Sequence, residues 1–267
     1  MDLLSGTFLG VVQGLTEFLP ISSSGHLILA RELFGISGEY GLAVDAVLQL
    51  ATALAIGIYF RRELARLVVA AIRLIVGRAA DAGERTLVIA IVIGTVPAAV
   101  LGLLLEDYME TAFRSPWLVI GTLLAGSALM WGAEACARQD SFLTWKKGVV
   151  IGLFQSLALV PGISRSGSTI SGGLFCGLKR DEAARFGFLL AFPIIAGSGL
   201  LKLFELFSEG AVADLGIGLA AGFIASFLVG LAVIHFLLKF LRKHTLTVFI
   251  AYRIVLAFVV AAVLMVR

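Results

Sequence analysis

Charged residues are scarce in this sequence. Asp, Glu, Lys and Arg make up only 15% of its 267 residues, whereas 60% are hydrophobic and the mean hydropathy is +1.03. Water-soluble domains carry about 25% charged residues, so a soluble fold is excluded and the lipid bilayer must be the solvent for most of the chain. The net charge of +3 does not indicate nucleic-acid binding, because the cations cluster beside hydrophobic segments.

Cysteine and histidine are also rare. The chain has two cysteines and three histidines. Cys136 and Cys176 lie among apolar or small residues and lack the spacing of a metal site, so we expect both to pack within helices. Residues 1–4 contain no basic segment, so no cleavable signal peptide is predicted.

Long apolar runs are abundant. A helix needs about 20 apolar residues to cross the hydrocarbon core, and six segments reach this length: 42–60, 86–105, 117–137, 183–207, 216–238 and 246–266. Two more stretches, 3–34 and 148–178, are interrupted at Pro20–His26 and Pro161–Thr169. Each half of these is too short to cross alone. We therefore predict an all-α polytopic membrane protein with six full transmembrane helices and two re-entrant helix hairpins.

Basic residues indicate the orientation. Segment 61–85 holds six arginines, and the loops 138–147 and 239–244 are also basic, whereas the connections 106–110 and 205–214 are acidic. Positive loops stay in the cytoplasm, so both termini are predicted to lie outside. The first hairpin then enters from the exterior and the second from the cytoplasm.

The two interrupted stretches resemble one another. A shift of about 142 residues superposes the following pairs: Gly10 and Gly152, Gln13 and Gln155, Ser22 and Ser164, Ser24 and Ser166, Gly25 and Gly167. Segment 94–102 also resembles 222–230 in its glycine spacing. One hairpin and three spans give each half an odd number of crossings. We therefore predict an inverted-topology repeat within a single domain of residues 1–267, with repeat 1 at about 1–137 and repeat 2 at about 145–267. Such repeats place their site where the halves meet.

The first hairpin offers a carboxylate, hydroxyls and an imidazole. Gln13 and Glu17 share a helical face, and a carboxylate within a membrane is usually functional or paired. The run that follows consists of Ser22, Ser23, Ser24, Gly25 and His26. NH groups at the start of the predicted helix 27–34 would bind an anion, and Ser with His is the minimal pairing for nucleophilic catalysis. In the alternative interpretation, the carboxylate only reaches water and the serines only cap a helix.

The second hairpin offers a guanidinium. Its loop contains Ser164, Arg165, Ser166, Gly167, Ser168 and Thr169. Arg is suited to clamp a phosphate through two parallel hydrogen bonds, and the surrounding hydroxyls and NH groups would complete an anion cradle. Alternatively, Arg165 pairs with Glu17 to hold the hairpins together. Arg253, inside the last span, is predicted to be structural and to satisfy carbonyls or a carboxylate.

Two long motifs resemble a known family. The segment Gln13–His26 (QGLTEFLPISSSGH) and the segment Pro161–Thr169 (PGISRSGST) are similar to the two signatures of the bacterial undecaprenyl-diphosphate phosphatases, the BacA-type bacitracin-resistance proteins. Chain length, hydropathy and the order of the motifs agree with this resemblance, which covers essentially the whole chain.

The resemblance implies a hydrolase that converts undecaprenyl diphosphate to undecaprenyl phosphate and inorganic phosphate for peptidoglycan synthesis. Bacitracin, to which the family confers resistance, acts by sequestering this lipid substrate. The family has inverted repeats with two hairpins, is often dimeric, and lies in the bacterial inner membrane with its site open to the periplasmic side. It is regarded as requiring a divalent cation, Mg²⁺ or Ca²⁺.

The resemblance also implies roles for individual residues. Catalysis falls on Glu17, Ser23, His26 and Arg165, with the metal near Glu17. Substrate binding falls on Gln13, Ser22, Ser24, Gly25, Ser164, Ser166, Gly167 and Thr169. Many members carry Glu where this chain has Gln13, so this chain has one helix carboxylate fewer with which to bridge a metal.

Two mechanisms and a rival function remain open from sequence. Either Ser23 attacks the phosphate with His26 relaying its proton, or His26 and Glu17 activate a water. Inverted repeats with broken helices also build alternating-access carriers, so a lipid-phosphate or anion transporter is the alternative function.

Overall fold

The computed structural model describes residues 1–36, 40–105, 108 and 115–266, and excludes the side chains of 211–214. Within these residues the chain is helical and contains no strand. The α-helices are α1 (Leu3–Thr16), α2 (Ser23–Phe34), α3 (Gly41–Tyr59), α4 (Arg61–Ile75), α5 (Ala82–Leu104), α6 (Pro116–Ala135), α7 (Trp145–Ser156), α8 (Arg165–Phe175), α9 (Arg180–Ser208), α10 (Ala211–Leu241) and α11 (Thr247–Val266). The acidic connection predicted at 106–110 lies outside the described residues except for Tyr108.

Six of these helices are long and apolar enough to cross a membrane. They are α3, α5, α6, α9, α10 and α11. They lie on the six predicted segments, with ends that differ by a few residues, so the prediction of six spans is confirmed by length and composition. The amphipathic helix α4, which we did not predict as a separate element, follows α3 directly at Phe60. The chain is therefore a multi-pass, all-α membrane protein.

The two interrupted stretches each form a pair of short helices. Helices α1 and α2 have 14 and 12 residues, and α7 and α8 have 12 and 11. All four are shorter than the 17 to 25 residues of a spanning helix.

The interruptions themselves are shorter than predicted. We expected breaks that extend to His26 and Thr169, but α2 begins at Ser23 and α8 begins at Arg165. Ser22 and Ser164 cap these helices by accepting a hydrogen bond from the NH group three residues later. Each cap stabilises the first turn of its helix. Much of each polar motif therefore lies on a helix instead of in a loop.

Glycines bring two pairs of helices into backbone contact. A Cβ atom added to Gly10 of α1 would lie 2.1 Å from the carbonyl oxygen of Gly222 in α10. A Cβ atom on Gly152 of α7 would lie 2.2 Å from the carbonyl oxygen of Gly94 in α5. The four glycines belong to the segments that resemble one another in sequence. The two helix pairs thus use equivalent contacts, which leave no room for a larger residue.

The hairpin tips rest against the apolar middle of α9. The ring of Phe18, at the first tip, meets Phe188 edge-on with 5.2 Å between centroids. Ile170 and Leu174 of α8 belong to the same buried cluster as residues 188–191 of α9. Because these apolar contacts are buried, they fix the polar residues at the tips relative to one another.

Candidate active site

Two serines hold the same unusual backbone conformation at the hairpin tips. Ser22 has φ = 74° and Ser164 has φ = 80°, in a region that residues with a Cβ rarely adopt. This conformation turns the chain sharply into α2 and α8. The N-terminal ends of both helices carry partial positive charge and free NH groups, so each tip is suited to bind an anion.

The two tips contact one another directly. The NH group of Gly162 donates to Ser22 Oγ at 3.0 Å, and Ser166 Oγ donates to the carbonyl oxygen of Leu19 at 2.8 Å. These bonds join residues about 140 positions apart in sequence. The prediction that the two polar motifs meet at one place is therefore correct in its geometry.

Glu17 lies at the centre of the contact. It forms an ion pair with Arg165 of the other hairpin. Its Oε2 atom accepts hydrogen bonds from Gln13 Nε2 at 2.7 Å and from Ser23 Oγ at 2.5 Å. The Glu17 side chain is only 1% exposed, whereas Arg165 is 20% exposed. The pairing of Arg165 with Glu17, which the sequence left as an alternative, is present.

The space around this ion pair is narrow. A crevice of about 10 Å³ is lined by Glu17, Arg165 and Thr169 together with apolar side chains that include Phe18 and Phe188. That volume corresponds to about one water molecule. A diphosphate group is larger than this crevice.

His26 is held on both sides of its ring. Its Nδ1 atom lies 2.7 Å from the carbonyl oxygen of Ser22, and its Nε2 atom lies 2.8 Å from the hydroxyl of Tyr252. One of the two mechanisms that the sequence left open pairs Ser23 with His26. Instead, the hydroxyl of Ser23 donates to Glu17, because the first turn of α2 directs the two side chains toward different partners. The proton acceptor next to Ser23 is thus a carboxylate.

Arg253 of α11 is fully buried and binds backbone from both tips. It donates to the carbonyl oxygens of Pro20 at 3.4 Å and Gly162 at 2.8 Å. It also donates to Leu123 and Ser127 of α6. The prediction that Arg253 satisfies carbonyls is confirmed, and the carbonyls belong to the site itself.

The other predicted binding residues surround this centre. Ser24 Oγ lies 3.5 Å from Ser22 Oγ, and Ser166 Oγ lies 3.2 Å from Ser164 Oγ. The NH groups of Gly25 and Gly167 supply the two cap bonds. Thr169 lines the crevice beside Glu17, and its hydroxyl donates to the carbonyl oxygen of Arg165. This bond stabilises the first turn of α8, so the hydroxyl is already in use.

Sequence reasoning missed Tyr252. It is 226 positions from its partner His26, and a tyrosine within an apolar span carries no distinctive pattern. Its position beside Arg253, a costly intramembrane cation, is the one signal that could have identified it.

Glu17 and Gln13 offer oxygen atoms of the kind that bind a divalent cation. Gln13 Oε1 is buried and has no hydrogen-bond partner, and it lies on the same helical face as Glu17. Mg²⁺ is commonly bound through one or two carboxylates plus substrate phosphates, and this donor set provides one carboxylate and one amide. The described residues contain no group of three His, Cys, Asp or Glu side chains that could hold a metal ion by themselves.

Comparison with known proteins identifies the family. The family described as "Bacitracin resistance protein BacA" matches residues 6–259. The chain belongs to this family. It is 44% identical to the undecaprenyl-diphosphatase of Rubrobacter xylanophilus, over 99% of both chains. It is 41% identical to that of Idiomarina loihiensis over 97% of this chain and 98% of the relative. It is 44% identical to that of Mycolicibacterium smegmatis over 99% and 97%. The resemblance seen in the two motifs is therefore confirmed over nearly the whole chain.

Proposed function

We propose that this protein hydrolyses undecaprenyl diphosphate to undecaprenyl phosphate and inorganic phosphate. The observation that carries the proposal is the ion pair of Glu17 on one hairpin with Arg165 on the other, together with the hydrogen bond from Ser23 to the same carboxylate. The relatives, which match over nearly their full length, are named for a diphosphatase activity. In the cell, the reaction would return the carrier lipid to peptidoglycan synthesis and oppose bacitracin, which sequesters the diphosphate.

Arg165 is proposed to bind the terminal phosphate. Its planar guanidinium can form two parallel hydrogen bonds to phosphate oxygens. Arg165 now pairs with Glu17, so substrate binding would exchange one anionic partner for another. The helix N-termini that begin at Ser23 and Arg165 add backbone NH groups. Phosphoryl transfer depends chiefly on such positioning and charge stabilisation.

Glu17 is proposed to act as the base for Ser23. The carboxylate takes the hydroxyl proton while the Ser23 oxygen bonds to the terminal phosphorus and the bond from phosphorus to the bridging oxygen breaks. Undecaprenyl phosphate then leaves with the bridging oxygen, and a phosphoserine remains.

His26 is proposed to assist the second step. The carbonyl oxygen of Ser22 next to Nδ1 can only accept a hydrogen bond, so the neutral ring carries its hydrogen on Nδ1 and keeps a lone pair on Nε2. The proton that water loses as it attacks the phosphoserine passes to this atom. Glu17 returns its proton to the Ser23 oxygen as inorganic phosphate departs.

A divalent cation, Mg²⁺ or Ca²⁺, is proposed to bind with the diphosphate. Glu17 and the free Oε1 atom of Gln13 are the residues that would hold it. When bound, the ion would neutralise charge on the phosphates.

The proposed membrane arrangement follows the sequence pattern. The two short helix pairs would enter the bilayer from opposite sides as re-entrant hairpins of an inverted repeat. The protein would lie in the bacterial cytoplasmic membrane with its site open to the periplasmic side. The equivalent glycine contacts at Gly10 and Gly152 support this repeat. A homodimer stays a prediction from the resemblance.

Phosphate release is the measurement that tests the function. Purified protein in detergent should release phosphate from undecaprenyl diphosphate, and a chelator should suppress the release. A pure lipid-phosphate transporter, the alternative function, would release none. Rapid quenching with substrate labelled in the terminal phosphate should trap label on Ser23.

Two variants give this experiment its controls. Ser23→Ala should abolish both trapped label and turnover. Ser208→Ala removes a hydroxyl that only donates to the carbonyl oxygen of Glu205 on α9, and it should retain both. Full turnover by Ser23→Ala would favour direct attack by water and contradict the phosphoserine route.

A further inference from the structure

The imidazole of His26 has a hydrogen-bond partner outside its own hairpin. The hydroxyl of Tyr252 lies 2.8 Å from His26 Nε2. The two rings are nearly parallel, with an interplanar angle of 8° and centroids 5.7 Å apart. Tyr252 belongs to α11, far from the hairpin in sequence.

The donors and acceptors of this contact are determined by its chemistry. Because a carbonyl oxygen accepts at Nδ1, the hydrogen of the neutral ring lies there, and Nε2 can only accept. The phenol hydroxyl must then donate to Nε2. The partner of one imidazole nitrogen determines the state of the other, so the Ser22 carbonyl and the Tyr252 hydroxyl select the same tautomer.

The position of Tyr252 is itself tightly set. The next residue, Arg253, is fully buried and bonded to carbonyls of both hairpin tips. The Tyr252 side chain is 44% exposed, so one face of its ring covers His26 and the rest faces outward. Helix α11 thereby contacts the backbone of the tips through Arg253 and the imidazole through Tyr252.

We propose that Tyr252 carries the proton from the attacking water to His26 at the phosphatase site. Its hydroxyl donates to Nε2, so the hydroxyl proton passes to Nε2 while the phenol oxygen takes a proton from the water. The proposal rests on the proposed function, in which His26 takes up the proton that water loses. Nothing in the two sequence motifs assigns a role to α11 or to this tyrosine.

The chain contains a matched control for this contact. Tyr59 and His235 form a second tyrosine–histidine pair, with the hydroxyl 3.3 Å from Nδ1 and the rings tilted by 52°. Neither residue contacts the hairpin tips in any described hydrogen bond. Tyr252→Phe and Tyr59→Phe therefore remove the same group from two similar contacts, of which only one adjoins the proposed site.

Kinetics provide the first test. Loss of one neutral hydrogen bond, worth about 1 kcal/mol, predicts that Tyr252→Phe lowers kcat about fivefold and changes KM little. Tyr59→Phe should behave as the unaltered protein. In a His26→Gln background, Tyr252→Phe should have no further effect on the residual rate, because coupled residues are not additive. An equal loss in both backgrounds, or no loss at all, would overturn the proposal.

Nitrogen NMR provides a test that does not depend on turnover. With only three histidines in the chain, ¹⁵N-labelled histidine gives a spectrum that the His26→Gln variant assigns. The neutral His26 ring should show a single tautomer with hydrogen on Nδ1, and Tyr252→Phe should shift its Nε2 signal while Tyr59→Phe shifts only that of His235. An unchanged His26 signal in Tyr252→Phe contradicts the contact. Absence of phosphate release by the unaltered protein would contradict the proposed function alone.

Discussion

The two hairpin tips have the same backbone conformation and carry different functional side chains. Ser22 and Ser164 cap the second helix of each hairpin in the same way and at nearly the same positive φ. The functional side chains differ at equivalent positions. With the 142-residue shift, the pairs are Glu17 and Leu159, Ser23 and Arg165, and His26 and Ser168.

This difference teaches that neither hairpin is a site alone. The first carries the carboxylate, the hydroxyl it binds and the imidazole, whereas the second carries the guanidinium. Gln155, the equivalent of Gln13, is buried with both polar atoms unpartnered, because no carboxylate stands four residues later. The two hairpins share the conformation of their tips, and the functional side chains are divided between them.

The largest effect expected from a change on the second hairpin follows from replacing Arg165. Arg165→Lys keeps the positive charge opposite Glu17 but loses the paired donors that match a phosphate. Since removing one preorganised donor typically costs 10² to 10³ in rate, we expect kcat/KM for undecaprenyl diphosphate to fall by about 100-fold. Phosphate release and the thermal midpoint should be measured on the same preparation.

Exchanging the charges of Glu17 and Arg165 distinguishes a catalytic role of Arg165 from a role in joining the two hairpins. Arg165→Glu alone would place two buried carboxylates together, and it should destabilise the protein strongly. Adding Glu17→Arg restores an ion pair with its signs reversed. If the pair only joined the hairpins, the double variant would recover activity along with stability. We expect it to recover stability alone, and near-normal turnover in it or in Arg165→Lys would remove Arg165 from the catalytic machinery.

The sequence predicted the contact but not its local geometry. The spans, the two short helix pairs and the meeting of the polar motifs follow from apolar run length and internal similarity. An intramembrane carboxylate and an intramembrane guanidinium each need a partner, so the pairing of Glu17 with Arg165 was foreseeable as an alternative.

The remaining features depend on tertiary contacts. The predicted breaks are longer than the observed ones. Ser22 and Ser164 adopt a positive φ that serine seldom shows, and this conformation lets α2 and α8 begin at the very next residue. The sequence left the partner of the Ser23 hydroxyl open, and the first turn of α2 directs this hydroxyl to Glu17. Tyr252 reaches His26 across 226 positions, and no local pattern encodes such a contact.

Substitutions at Gly10 and Gly152 test whether the α1–α10 and α7–α5 contacts are equally tight. Gly10→Ala and Gly152→Ala would each place a methyl group against a carbonyl oxygen. Overpacking of this kind costs about 1–3 kcal/mol. The α1–α10 contact is tight at Gly6, Gly10 and Gly14, whereas α7 approaches α5 tightly at Gly148 and Gly152. We therefore expect a larger fall in thermal midpoint for Gly10→Ala.

Gly121→Ala is the control for these glycine variants. A Cβ atom at Gly121, within α6, would meet nothing within 4 Å. Alanine is favoured over glycine in a helix, so the thermal midpoint should stay unchanged or rise. Equal midpoints for all three variants would refute the close packing of both helix pairs.

The smallest effects should distinguish the two capping serines. Ser164→Ala loses one cap bond, from the NH group of Gly167, which is worth about 1 kcal/mol. Ser22→Ala also leaves the buried NH group of Gly162 without its acceptor, so we expect a loss nearer 2 kcal/mol in unfolding free energy. Glycine in place of Ser22 would lose the same bonds but adopt the positive φ readily, and it should be less destabilising than alanine. Equal unfolding free energies for Ser22→Ala and Ser22→Gly would show that residue 22 is not held at a positive φ. The two tips would then differ in backbone conformation.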